Sequence, residues 1–294
     1  MPATIIDGKA LAQSARQQVA ERVDRVRAAG GHIRLDALLV DSGDNAARVY
    51  AQNQARTCRE LGIEYKLHEL PGDSGLGDVA EMIGRLNADD DATAVMLHLP
   101  VPDGVDGYEL QRLIAPEKDV EGVNPANIGN IVYGRNSLAP CTALAAIRMI
   151  QSVTPDIRGK RAVVVGASNV VGKPLAVLLM RLDATVISAN KWTWGIEDLC
   201  RSAEILVTAA GVPGLIKPEM VRPGAIVIDV GVTRVRGADG KTRTVGDVDF
   251  DGVSGVAGAL SPVPGGVGPM TVTVLLENVV KSAERQAGIQ VRAR

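Results

Sequence analysis

Residues 162–179 read AVVVGASNVVGKPLAVLL, and this stretch decides the fold. Ala162–Val165 is a short apolar run that reads as a buried strand, and Gly166 ends it. Val170–Arg181 then has helical spacing. Ser168 and Gly172 allow close backbone approach where the helix begins, and the amides exposed at such a helix start suit a pyrophosphate. The spacing is G-x-S-x-x-x-G, not the usual G-x-G-x-x-G, so an ordinary glycine turn in an α/β sheet remains the alternative reading.

Working downstream, Thr185–Ser188 is the next strand, and its end should lie near an adenosine ribose. No carboxylate follows it to hold a ribose 2′-hydroxyl. Lys191 stands there instead, which favours a 2′-phosphate and hence NADP; a solvated surface lysine, with NAD as cofactor, is the alternative. Trp192 and Trp194 follow, with three placements open: against an adenine, in the core, or on the surface. Ile205–Thr208 and Ala225–Val230 add strands, and the Ala209–Gly211 loop after the first of them can wall a nicotinamide pocket. Asp239-Gly240 is a hairpin-turn signal within Val235–Thr244. Thr271–Gln286 reads as a closing helix.

Upstream, Leu35–Val40, Tyr65–Leu70 and Ala94–Leu99 read as strands, the last stopped by Pro100 and Pro102. Asn45–Leu61 and Leu76–Asn87 read as helices between them. A boundary is expected between Asn124 and Leu138, followed by the helix Thr142–Ser152. Two βαβ series in 294 residues make a two-lobed α/β protein with parallel sheets. The 32 basic and 34 acidic residues nearly cancel, and only seven residues are Trp, Tyr or Phe, so neither nucleic acid nor a membrane surface is an expected partner. Cys58, Cys141 and Cys200 lie far apart, offer no metal-ligand spacing, and fit small buried residues in a reducing, cytoplasmic compartment. No signal peptide and no spanning segment are read. His32 and His68 are expected at the surface.

Six stretches together resemble the bifunctional methylenetetrahydrofolate dehydrogenase/cyclohydrolase family: VVVGASNVVGKP (163–174), RPGAIVIDVGV (222–232), VGDVDF (245–250), SPVPGGVGPMT (261–271) and, more loosely, KDVEGVNPANIG (118–129) and PCT (140–142). The resemblance implies a folate-binding catalytic lobe over 1–138, to which 272–294 returns as the last helix. It implies a Rossmann NAD(P)-binding lobe over 139–271 and a homodimer formed through the Rossmann lobes. The implied reaction is hydride transfer from 5,10-methylenetetrahydrofolate to NADP, then hydrolysis of the methenyl cation to 10-formyltetrahydrofolate. Tyr50, Gln54 and His98 are the implied catalytic positions. Tyr50, His98, Pro100, Glu121, Pro264, Gly265 and Gly266 would meet the tetrahydrofolate. Gly166, Ala167, Ser168 and Val171 would meet the cofactor in the glycine turn, with Lys191, Ala209, Gly211, Gly231, Val232, Gly268 and Thr271 from later loops.

The chain departs from the family pattern at several of these positions. The Tyr-x-x-x-Lys helix reads Tyr50-Ala-Gln-Asn-Gln54; Gln cannot titrate, which puts the cyclohydrolase step in doubt. His98 stands where glutamine is usual, at the end of its strand, and either replaces the lost lysine in proton transfer or is merely polar there. Glu121 replaces the aspartate that grips the pterin and reaches one methylene further. Ala167 replaces the arginine of the Rossmann turn. These changes keep two alternatives open: a paralogue acting on another one-carbon carrier or imine, or a folate-binding homologue with impaired catalysis.

Overall fold

A computed structural model describes residues 2–41, 43, 45–237 and 240–289. Its strands are β1 (Thr4–Ile5), β2 (Arg34–Val40), β3 (Glu64–Leu70), β4 (Ala94–Leu97), β5 (Arg161–Val165), β6 (Thr185–Ala189), β7 (Ile205–Thr208), β8 (Ile226–Asp229), β9 (Thr233–Arg236), β10 (Thr242–Val245) and β11 (Ala259–Leu260). The chain forms two compact units. The first comprises Ser14–Cys141 and the chain from Leu275 onward; the second comprises the chain up to Gln13 and Thr142–Val274.

In the first unit, β2 is the centre of a parallel sheet ordered β3-β2-β4. All seven residues of β2 are buried, as expected for a strand covered on both faces. Val79, Ile83 and Leu86 of the helix Leu76–Ala88 pack with Leu38, Val40, Val95 and Leu97 of the sheet. The helix end is closed by Lys118, whose Nζ donates to the carbonyls of Leu86, Asn87 and Asp89 at 2.7–3.0 Å. Asp119 beside it accepts from the amides of Gly122 and Asn124 and from Asn127 Nδ2. These two residues fix the turn that carries Glu121. The last helix, Val267–Gln286, packs back here through its second half: Asn278 Nδ2 donates to the Val120 and Ala139 carbonyls, and Ser282 Oγ to those of Thr93 and Glu117. His68 is not a surface residue, because its Nε2 lies 2.7 Å from Oδ1 of the buried Asp36, which also pairs with Arg34.

In the second unit, six parallel strands are ordered β1-β11-β8-β7-β5-β6. The chain runs from β5 outward to β6 and returns to β7 on the other side of β5. The carboxyl ends of β5 and β7 therefore form the switch point where doubly wound sheets bind ligands. Val163, Val165, Leu206, Val227 and Leu260 fill the core on one face. β9 and β10 make an antiparallel hairpin, and Asp239 of the expected turn lies outside the described residues.

Three features differ from the sequence expectation. The first thirteen residues belong to the second unit, not the first, because β1 pairs with β11 at the edge of the large sheet. Gly8–Ala28 is a 21-residue helix not expected from the sequence. Its buried stripe is Ala12, Ala15, Val19, Val23 and Val26, and alanines make a faint periodic signal. The Asn124–Leu138 stretch holds a helix, Pro125–Val132, capped by Asn124, and the division between units falls after Cys141.

Candidate active site and cofactor site

In the first unit, the helix Asn45–Glu60 carries Tyr50 and Gln54 one turn apart. Their surroundings differ: Tyr50 is 44% exposed and Gln54 only 3%. His98 follows β4 directly, anchored by its amide to the Leu38 carbonyl at 2.8 Å. Its ring meets that of Tyr50 edge-on, with centroids 5.9 Å apart and planes at 83°. Tyr65 of β3, which no motif pointed to, places its hydroxyl 3.3 Å from His98 Nε2. Burial lowers the His98 pKa to about 4, so the imidazole is neutral at pH 7.

Glu121 behaves in the opposite sense. Burial first, then the charge of Asp119, raises its pKa to about 8. Hydrogen bonds from the Leu97 amide and the Gln111 side chain offset only part of this. Gln111, buried on the short helix Gly107–Gln111, is a second participant that carries no motif signal. The Tyr50 hydroxyl is also raised, by burial and then by Glu121, so the two are electrostatic neighbours. Three buried polar atoms in this group, Gln54 Nε2, Gln54 Oε1 and Glu121 Oε2, have no hydrogen-bond partner. Native interiors pair such atoms, and unpaired ones mark places completed by something else. Pro100 follows a cis peptide bond from Leu99 and is exposed.

In the second unit, Gly166 has φ of +109°, and a Cβ there would lie 2.3 Å from the Ala209 carbonyl oxygen. A Cβ at Gly172 would lie 1.9 Å from the Gly166 carbonyl oxygen. Glycine is thus required where β5 and β7 end together and where the helix Gly172–Arg181 packs on the turn. Ser168 Oγ accepts from the amides of Val171 (3.2 Å) and Gly172 (3.4 Å), which leaves Ala167 and Ser168 to form the turn. Gly211 and Gly231 are brought together by Asp247. Its Oδ2 accepts from Thr208 Oγ1, Ala210 N and Gly211 N at 2.7–3.1 Å, and its Oδ1 would meet a Cβ on Gly231 at 2.1 Å. Asp229 accepts in turn from the amides of Gly231, Asp247 and Val248. Burial raises the Asp229 pKa to about 6. Both aspartates stood in quoted motifs, but their role as loop clamps could not be read there. Val232 is 66% exposed beside them.

Pro264 follows a cis bond from Val263, Gly265 has φ of +105°, and Gly266 packs against Gly8, where a Cβ would meet the Gly266 carbonyl oxygen. Gly268 and Thr271 lie in the first turns of Val267–Gln286, where Thr271 Oγ1 donates to the Val267 carbonyl. Lys191 lies past the end of β6, with Nζ 5.1 Å from the centre of the Trp192 ring. Neither tryptophan is in the core: Trp192 is 77% exposed and Trp194 94%.

The family model for the tetrahydrofolate dehydrogenase/cyclohydrolase catalytic domain matches residues 6–121, and that for the NAD(P)-binding domain of the same family matches 140–287. The chain belongs to the tetrahydrofolate dehydrogenase/cyclohydrolase family. It is 42% identical to the bifunctional protein FolD of Moorella thermoacetica, over 97% of this chain and 100% of the relative. Identity to the protein of that name from Cupriavidus metallidurans is 43%, over 98% and 100%. Among solved structures, a bifunctional FolD from Campylobacter jejuni superposes with a TM-score of 0.91 at 36% identity, covering 96% of this chain and 99% of that one. A Trypanosoma brucei FolD, solved with NADP and an inhibitor, gives 0.90 at 34% identity with full coverage of both chains. The residues present fit a dinucleotide in the second unit. The Gly166 and Gly172 positions tolerate no side chain, and the capped turn between them is what a pyrophosphate needs.

Proposed function

We propose that this family member oxidises 5,10-methylenetetrahydrofolate by hydride transfer to NADP and hydrolyses the methenyl product to 10-formyltetrahydrofolate. The observation that carries the reading is the unpartnered carboxamide of Gln54 in the matched catalytic domain, one helical turn from Tyr50, whose ring meets His98 and whose hydroxyl is an electrostatic neighbour of Glu121. When bound, the nicotinamide supplies the hydride acceptor; the protein supplies position and electrostatics. In the hydrolytic half, a water oxygen bonds to the methenyl carbon, the carbon–N5 bond breaks with its electron pair going to N5, one of the water's protons passes to N5 and the other leaves to solvent. Gln54 can accept from that water through Oε1 and donate through Nε2 to the oxygen of the tetrahedral adduct. Neutral Gln can therefore orient water without titrating. His98, neutral and held by Tyr65, supports the Tyr50 ring and is a poor proton carrier at pKa about 4.

The doubt that Gln54 cast over hydrolysis gains no support from the comparisons, in which relatives at 42–43% identity are named bifunctional. The alternatives of another one-carbon carrier and of a non-catalytic binder gain none either. A homodimer and a cytoplasmic location complete the reading; the second is supported by three cysteines that are all free and buried. No helix among the described residues is long and apolar enough to cross a membrane. The test follows NADPH absorbance and loss of methenyl absorbance separately, in the wild type and in Gln54→Ala. Both activities are expected in the wild type, and the substitution should reduce hydrolysis about a hundredfold more than oxidation, the lower end of what one positioned donor contributes. Absence of NADP reduction with methylenetetrahydrofolate would overturn the reading.

A further inference from the structure

The chain has two tryptophans, and both stand exposed within three residues of each other at the end of β6. Single exposed apolar residues are ordinary, but a protein with only seven aromatics that displays both tryptophans in one loop calls for a cause. The loop is built, not loose. Asn190 N donates to Thr193 Oγ1, Trp192 N to Asn190 Oδ1 and Thr193 N to the Asn190 carbonyl, each at 2.9 Å. Its first residue follows Ala189, whose carbonyl accepts from the Gly166 amide at 2.9 Å. The glycine turn is thus hydrogen-bonded to the last residue of β6, from which the tryptophan loop departs, within one unit. In a doubly wound sheet, the end of the second strand lies beside the adenosine of a dinucleotide whose pyrophosphate occupies the turn after the first. Lys191 adds a cation against the Trp192 face.

We propose that Trp192 is the stacking platform for the adenine of NADP and that Lys191 beside it pairs with the 2′-phosphate. An indole offers an adenine a broad π-face at small conformational cost; Lys191 lies over one face of Trp192, so the adenine stacks on the opposite face and the lysine reaches the phosphate from beside the ring. This deepens the NADP reading above and rests on it.

Intrinsic fluorescence of the full chain reports on this loop alone, since no other tryptophan exists. Titration with 2′,5′-ADP should quench the emission, and 5′-AMP should do so only at concentrations about tenfold higher or more, the worth of one charge-assisted contact. Trp194→Phe leaves Trp192 as sole reporter and should retain the quench. Trp192→Leu should lose most of it and raise the Kd for 2′,5′-ADP and the KM for NADP about tenfold, in line with loss of one stacked base, while the KM for the folate is unaffected. Lys191→Ala should weaken 2′,5′-ADP and not 5′-AMP. Calorimetric binding of 2′,5′-ADP without any change in emission, or an unaltered Kd in Trp192→Leu, would sink the proposal and leave the NADP reading standing. Emission that responds to protein concentration and not to nucleotide would make the loop a contact between copies, and so overturn it. Failure of NADP to bind or to be reduced at all would remove the reading underneath.

Discussion

Buried acids are treated in two ways in this molecule. In the second unit, Asp247 and Asp229 each accept from three donors that lock a loop, although all three reach Oδ2 of Asp247 and its Oδ1, turned against the bare Cα of Gly231, has no partner. In the first unit, Glu121 keeps one oxygen free of any partner, and Gln54 keeps both amide atoms free. Asp119, two residues from Glu121, has partners on both oxygens, as Asp229 does. Where donors are supplied by backbone amides, the acid is holding a loop in place. Gln54 is the extreme of the contrast, because no donor or acceptor reaches either polar atom of its side chain, which leaves the whole carboxamide available to a ligand. Unsatisfied buried groups cost stability, so they persist where function requires them.

The largest test of the contrast is Asp247→Ala. It strands Thr208 Oγ1 and the Ala210 and Gly211 amides together. At roughly 1 kcal/mol or more for each lost bond, a stability loss of about 3 kcal/mol is expected in urea unfolding. The KM for NADP should rise with it, since the clamp shapes the loop after β7. A loss below about 0.5 kcal/mol would mean that the carboxylate is not holding that loop.

The next test uses pH. Glu121 binds its proton up to about pH 8 when folded, against 4.5 ordinarily, and His98 releases its proton down to about pH 4, against 6.5. Stability rises with pH where the unfolded chain binds more protons and falls where the folded chain binds more. Between pH 4.5 and 6.5 the two terms oppose and cancel, because each state holds one of the two protons. Between pH 6.5 and 8 only the Glu121 term remains, and stability should fall by about 2 kcal/mol across the window. Glu121→Gln should abolish that fall and expose a rise from pH 4 to 6.5; His98→Gln should instead start the fall at pH 4.5. Denaturant midpoints measured across pH 4–8 decide it; a wild-type curve that rises above pH 6.5 would contradict the assigned protonation. The same protonation affects binding. The N–H groups of an aminopyrimidine edge favour the carboxylate, so folate should bind more tightly as pH rises toward 8.

Much of the second unit was legible because its chemistry is local. A strand, a glycine turn and a helix are contiguous in 162–179, and the steric need for Gly166 and Gly172 lies within that segment and the neighbouring loop. The first unit was less legible for the same reason in reverse. Tyr65 and Gln111 come from separate elements that meet only in the fold, and neither sits in a repeated pattern. Sequence placed His98 beside Tyr50 correctly, yet could not tell that burial would leave the imidazole neutral and the carboxyl of Glu121 protonated. The helix Gly8–Ala28 carries a weak sequence signal because its buried face is largely alanine and valine, and β1 carries none because two residues have no period.

Gln54→Leu puts a price on the withheld partners. Removing an unpaired buried amide while keeping the volume should stabilise the protein by about 1 kcal/mol. The same change should abolish hydrolysis of the methenyl substrate. Stability gained together with activity lost is the signature of a group retained for a ligand. A destabilised Gln54→Leu protein would show that the amide is paired internally.

The smallest expected effect belongs to Tyr65→Phe. The Tyr65 hydroxyl lies 3.3 Å from His98 Nε2, a long contact, and burial raises its pKa, so it remains a neutral phenol throughout the working range. The bond is neutral on both sides, because His98 is also uncharged at pH 7. Its loss should cost about 0.5 kcal/mol, near the low end for a neutral pair. The ring stays, so packing against β2 is kept. What should change is the orientation of His98, whose ring loses its hydrogen bond to Tyr65 and keeps the edge contact with Tyr50. A small drop in stability with a larger drop in folate affinity would show that Tyr65 orients the cluster. Equal small changes in both would leave it a packing residue of β3.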